Sequence, residues 1–170
     1  RVTKNICKPE GYVAPKSDPT LSKKFQAVNS KENLKNNVGY DQNPRFSPCG
    51  KYIAWVSMER DGYEADLNRL CIYNLSTGEK KYVCFKSNVE EFCWSTKADG
   101  SLFFISVWHG CRNIYALSAK GEIKQITDEK ANYVSLAPLN DGKRLLTMKQ
   151  SMSSPNEIFT LLPGKTMVKN

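Results

Sequence analysis

The 170-residue sequence predicts an all-β fold, a partial β-propeller of about three four-stranded antiparallel blades. Three observations carry that prediction. From Gln42 onward the apolar residues come in short runs of period two, rich in Val, Ile, Tyr, Phe and Trp and each cut off by Gly, Pro, Asp or Asn, the pattern of half-buried strands separated by turns. No window of about 12 residues keeps the i, i+3, i+4, i+7 apolar spacing of a helix without a Gly, a Pro or a strand-like alternation intervening, so helical content is expected to be low. One pattern also recurs three times at a spacing of about 40 to 45 residues, the length of a propeller blade.

Taken in order, residues 1–38 show no full repeat. Lys8-Pro9-Glu10-Gly11 and Asp18-Pro19 punctuate them as loop, and Phe25-Gln26-Ala27-Val28 with Leu34 are placed as outer strands of a preceding blade, which makes this stretch an N-terminal connection. Residues 39–170 form the propeller fragment, with blades expected at about 41–86, 88–127 and 132–168. Each blade opens on an apolar and a small residue, a polar turn with Gly, and an apolar strand: Phe46-Ser47-Pro48-Cys49-Gly50-Lys51-Tyr52-Ile53-Ala54-Trp55, then Trp94 to Phe104 around Asp99-Gly100, then Leu136 to Leu146 around Asp141-Gly142. A second pair follows, with Leu70-Cys71-Ile72-Tyr73-Asn74-Leu75 before Gly78, Asn113-Ile114-Tyr115-Ala116-Leu117 before Gly121, and Glu157-Ile158-Phe159-Thr160-Leu161 before Gly164. Tyr73, Tyr115 and Phe159 thus fall 42 and 44 positions apart. Three to four blades are fewer than a closed ring normally needs, so open edges are expected, and these favour pairing with further blades or self-association with another copy.

Composition narrows the functions. The net charge is +8, concentrated at the start: residues 1–38 hold eight Lys and Arg against three Asp and Glu, the remainder 17 against 14. Around Lys16, Lys23, Lys24, Lys31 and Lys35 the only aromatic is Phe25, which argues against a nucleic-acid surface and for a solvated lysine-rich connection. The longest apolar stretch, Leu102 to Trp108, is far shorter than the roughly 18 residues a membrane-spanning helix needs, so no membrane segment is expected. The cysteines Cys7, Cys49, Cys71, Cys84, Cys93 and Cys111 contain no Cys-x-x-Cys pair and have only His109 as an imidazole partner, so neither a metal site nor any other cofactor is expected. Cys71, Cys84 and Cys93 lie among apolar residues and are read as small buried thiols; the even count allows disulfides but no pairing is assigned.

The turn Phe46-Ser47-Pro48-Cys49-Gly50-Lys51 resembles the Ser-Pro-Asp-Gly-Lys repeat of the prolyl oligopeptidase family, a turn that TolB-like propellers share, and the blade repeats are of TolB-like or WD40-like type. Ser57-Met58-Glu59-Arg60-Asp61-Gly62-Tyr63-Glu64-Ala65-Asp66-Leu67-Asn68-Arg69-Leu70 is similar to the dipeptidyl peptidase and acylaminoacyl peptidase branch of that family, in its bacterial secreted form, and Ser106-Val107-Trp108-His109-Gly110 and Ser151 to Ile158 fit it too. Cys49 departs from the usual Asp and removes a side-chain acceptor from that turn. Glu90-Glu91 invites comparison with the double Glu that grips a substrate amino terminus in some dipeptidyl peptidases, but it lies in an entering strand with alternating faces and reads as solvent-exposed.

The resemblance implies serine-nucleophile peptide hydrolysis in the parent protein, and a periplasmic or secreted location. The nucleophile elbow Gly-x-Ser-x-Gly is missing here, because no glycine is followed by another four positions on, and His109 stands alone without a nucleophile context, so no catalytic residue is expected in the fragment itself. The connections Met58 to Arg69, Trp108 to Arg112 and Gln150 to Asn156 are expected to be long and to emerge at one end of the blades. Arg60, Asp61, Glu64, Asp66, Arg69, Trp108 and His109 are the substrate- or domain-contact candidates on that rim, with the charged members expected mainly to pair within their own loop. The implied role is a non-catalytic propeller that gates and orients peptide substrates for a separate α/β-hydrolase domain; the alternative is a stand-alone TolB-like propeller that binds a protein partner.

Overall fold

Successive side chains of a strand point to opposite faces, so alternation in sequence becomes a strand with one apolar face to cover. A computed structural model describes residues 39–60, 62–163 and 168–169, and among them the chain forms strands and turns with no helix. Residues 1–38, Asp61 and Gly164, and the strands and turn expected on them, lie outside the described residues. The strands are β1 (Asp41–Phe46), β2 (Tyr52–Ser57), β3 (Arg69–Asn74), β4 (Lys80–Tyr82), β5 (Val89–Trp94), β6 (Leu102–Trp108), β7 (Cys111–Leu117), β8 (Ile123–Gln125), β9 (Asn132–Pro138), β10 (Leu145–Ser151), β11 (Ser154–Leu161) and β12 (Val168–Lys169).

The strands pair antiparallel with their chain neighbours in three successive groups, β1 to β4, β5 to β8 and β9 to β12. β8 covers only Tyr115, Ala116 and Leu117 of β7, and the uncovered start of that strand meets β9 in a parallel contact at Arg112 and Asn132, joining the second and third groups edge to edge. No closed ring forms among the described residues.

Burial follows the period of two. Ala54, Val56, Leu70, Ile72 and Val83 of the first group pack against Val89, Phe92, Trp94, Leu102, Phe104, Tyr115 and Leu117 of the second. The opposite face of the second group, Cys93, Ile105 and Ile114, packs against Tyr133, Leu136, Leu145 and Leu161 of the third. A sheet covered on both faces needs apolar residues at consecutive positions, which is why β6 carries Leu-Phe-Phe-Ile without interruption. Polar contacts fix how the first two groups meet: Arg45 Nη1 donates to the Phe92 carbonyl at 2.7 Å, and Trp94 Nε1 donates to the Arg45 carbonyl at 2.9 Å.

Two expectations need correction. The second and third rim connections are short, because β6 and β7 are joined only by His109 and Gly110, and β10 and β11 only by Met152 and Ser153. Strand pairing runs out to Trp108 opposite Cys111 and to Ser151 opposite Ser154, so Pro155 and Asn156 belong to a strand. Cys84 is disulfide-bonded and half-buried, unlike the buried free thiols Cys71 and Cys93. Desolvation raises the pKa of Cys93 to about 12, and raises that of Cys71 as well.

The departure at Cys49 also has a structural answer. In the second and third copies of the turn a carboxylate caps the backbone, Asp99 accepting from Ser101 N at 2.9 Å and Asp141 from Lys143 N and Arg144 N at 2.9 Å each. In the first copy Ser47 Oγ takes over, accepting from Tyr52 N at 3.0 Å, while Gly50 supplies a φ of 68°.

Candidate functional site

Strand register places three connections at one end of the molecule. Arg112 of β7 lies level with Asn132 of β9, which lies level with Gln150 of β10, so the β6–β7 and β10–β11 turns share an end. Val89 N donates to the Asn68 carbonyl at 2.9 Å, and Val89 pairs with Ser106, so the β2–β3 connection opens on the same side.

The β2–β3 connection, residues 58–68, is built around one carboxylate. Asp66 Oδ2 accepts from the backbone N–H groups of Glu59 at 3.1 Å and Arg60 at 2.9 Å and from Arg60 Nε at 3.3 Å, while Oδ1 accepts from Arg60 Nη2 at 3.0 Å. Its side chain is 7% exposed. Burial by itself would raise the pKa, but the hydrogen bonds and charge of Arg60 outweigh that and hold the carboxyl below its ordinary value. The Arg60 guanidinium also lies 3.7 Å from the centre of the Tyr63 ring. Arg60 and Asp66 are therefore paired inside the loop.

Beneath them Arg69 Nη1 donates to Glu59 Oε2 at 3.1 Å, with both side chains about nine-tenths buried, at 10% and 11% exposed. The Arg69 guanidinium rests 4.1 Å from the centre of the Tyr82 ring. Asn68 Oδ1 and Arg69 Nε and Nη2 are buried side-chain atoms with no hydrogen-bond partner among the described residues.

Glu64 is exposed and lines a cleft of about 590 Å³ with Gly39, Tyr40, Met58, Arg60, Gly62 and Tyr63. Trp108 is 52% exposed and meets His109 edge to face, ring centres 4.7 Å apart. His109 and Gly110 have φ of 49° and 76°, the left-handed pair that a two-residue hairpin turn requires, so His109 occupies a tip by backbone geometry. Met152 is fully exposed at the neighbouring tip. Glu90 and Glu91 are split between different arginines, Arg112 at 3.3 Å and Arg45 at 3.6 Å.

Of the residues singled out in the sequence, the structure pairs Arg60 with Asp66 inside one loop, sets Arg69 at the start of β3 against Glu59, leaves Glu64, Trp108 and His109 on the rim, and does not describe Asp61. Glu59, Tyr63 and Tyr82 are not among the candidates read from the sequence. Tyr82 lies on another strand; only the pairing of Cys71 with Tyr82 brings that ring beside Arg69.

No family model matches the sequence. The chain is 37% identical over 129 residues to dipeptidyl-peptidase 5 of Porphyromonas gingivalis, covering 74% of this chain and 18% of that protein. It is 41% identical over 126 residues to dipeptidyl-peptidase 5 of Porphyromonas endodontalis, covering 73% of this chain and 18% of that protein. The chain thus spans less than a fifth of the length of these relatives. Among solved structures, the β-propeller domain of the trilobed protease from Pyrococcus furiosus aligns with a TM-score of 0.59 and 20% identity over 78% of this chain and 37% of that one. TolB from Acinetobacter baumannii aligns with a TM-score of 0.60 and 17% identity over 74% of this chain and 31% of that one. At those identities the structural likeness establishes the propeller-type fold.

Proposed function

We propose, on the premise that this chain is a homologue of the dipeptidyl-peptidases 5, that it is a non-catalytic propeller portion of a serine exopeptidase of the dipeptidyl or acylaminoacyl type. Its blades are residues 41–86, 88–127 and 132–168, and the rim formed by Arg60, Asp61, Glu64, Asp66, Arg69, Trp108 and His109 faces a separate α/β-hydrolase domain and its peptide substrates. The homology, at 37% identity, carries this reading. The absence of a Gly-x-Ser-x-Gly motif from the sequence supports assigning the chemistry to another domain. Arg60 and Asp66 satisfy each other, so in this reading they shape the loop, while Trp108, Tyr63 and Glu64 are the groups free to touch a peptide or the hydrolase. A protein-binding role like that of a stand-alone TolB-type propeller has only fold likeness behind it. A location outside the cytoplasm belongs to the same proposal, supported by the Cys84 disulfide.

The test has two parts. The 170-residue chain alone should release no fluorophore from dipeptidyl or acetyl-aminoacyl coumarin amides. Within the full reading frame, Trp108→Ala combined with Tyr63→Ala should raise KM several-fold with little change in kcat, the signature of lost substrate positioning. Hydrolysis by the chain itself, or an unchanged KM, overturns the reading.

A further inference from the structure

The Arg69 guanidinium has three faces of recognition, and the described residues use two of them. Its flat side lies on the Tyr82 ring at 4.1 Å, and its Nη1 group donates to Glu59 at 3.1 Å. The third is the edge formed by Nε and Nη2, and both nitrogens are buried without an acceptor. A guanidinium cannot lose its charge near neutral pH, so a nine-tenths buried one cannot shed the demand by deprotonation as a lysine would. Glu59 meets the other terminal nitrogen through a single contact and does not span this edge.

The Nε–Nη2 edge presents two parallel N–H groups at the separation of the two oxygens of a carboxylate, and a fork-to-fork pair is the strongest contact it makes. Tyr82 fixes the plane of the guanidinium, so little side-chain entropy is left to lose when an acceptor arrives. Arg69 is the first residue of β3, next to the β2–β3 connection.

We infer that Arg69 is a carboxylate-binding residue, and that its Nε–Nη2 edge takes the carboxylate of an acidic side chain or of a polypeptide C-terminus. This site does not depend on the peptidase reading. Glu59 and Tyr82 hold the Arg69 guanidinium in position.

The experiment follows the arginine Nε–H resonances of the full chain by NMR at constant ionic strength while sodium acetate replaces sodium chloride. The Arg69 signal, identified by its loss in Arg69→Gln and Arg69→Lys, should move downfield and saturate with acetate. Arg69→Lys keeps the charge but not the fork, and it should weaken acetate binding about tenfold as read from its neighbours' backbone amides. N-acetylglutamate α-methylamide and N-acetylglycine then separate the two sources, the tighter of the two naming an acidic side chain or a chain terminus. No shift with acetate overturns the proposal, as does an equal response to chloride or an unchanged affinity in Arg69→Lys, which would mean an adventitious ion only.

Discussion

The β2–β3 connection and the β6–β7 turn occupy the same place in successive repeats, yet they solve the problem of reversing the chain in opposite ways. The turn needs only two residues, His109 and Gly110, both at positive φ, and its order comes from the backbone pairing of Trp108 with Cys111 on either side. The described residues of the connection 58–68 have no such pairing to lean on, and their order comes from a buried carboxylate that gathers two backbone N–H groups and a guanidinium. A short turn is held by conformational preference, whereas a long one must supply its own polar core.

The largest effect expected from this contrast comes from Asp66. Asp66→Ala leaves Arg60 and two N–H groups without their acceptor, at a cost of about 3 kcal/mol in urea unfolding, the low end for a broken buried pair because Arg60 is 30% exposed. Asp66→Asn, which keeps an acceptor but loses the charge, should cost less. The folded pKa of Asp66 lies below its ordinary value of 3.8, so its contribution is complete above that pH and is lost as pH falls through the folded value. Relative to the intrinsic exchange rate at each pH, amide protection at Glu59 and Arg60 should fall on acidification, while that at Cys111 should not.

The next largest effect tests the turn. Gly110→Val forces a β-branched residue to a φ of 76° and should destabilise by about 1–2 kcal/mol, although an added Cβ meets nothing within 4 Å. The loss would then be backbone strain alone. A neutral Gly110→Val in thermal unfolding would remove the distinction between the two connections. The smallest effect runs the other way: His109→Gly relieves a side chain held at a φ of 49° and should stabilise by about 0.5 kcal/mol, with the gain set against the greater entropy of an unfolded glycine.

Much of this was legible in the sequence. Tyr52 to Ser57 and Leu102 to Trp108 alternate or run apolar in ways only strands can use, and they are β2 and β6. The Asp-Gly turns announced themselves by residue type. Rim length did not, because His109-Gly110 breaks the apolar run as a loop would, while cross-strand pairing extends the ladder to Trp108 and Cys111 on either side of the tip. The opposing fates of Glu90 and Glu91 were partly readable, since neighbours in a strand face opposite ways; which arginine each meets was not.

What the sequence determined by itself is therefore the local grammar: strand periods, glycine at left-handed turn positions, and a repeat that sets four short strands per unit. Those are properties of a few consecutive residues and their backbone preferences. The tertiary structure alone decided which polar groups meet, setting Arg69 on Tyr82, Arg45 on Phe92 and Arg112 beside Asn132. Such meetings depend on register and on how one sheet rotates onto the next, quantities to which every side chain in an interface contributes and which no short stretch of chain encodes.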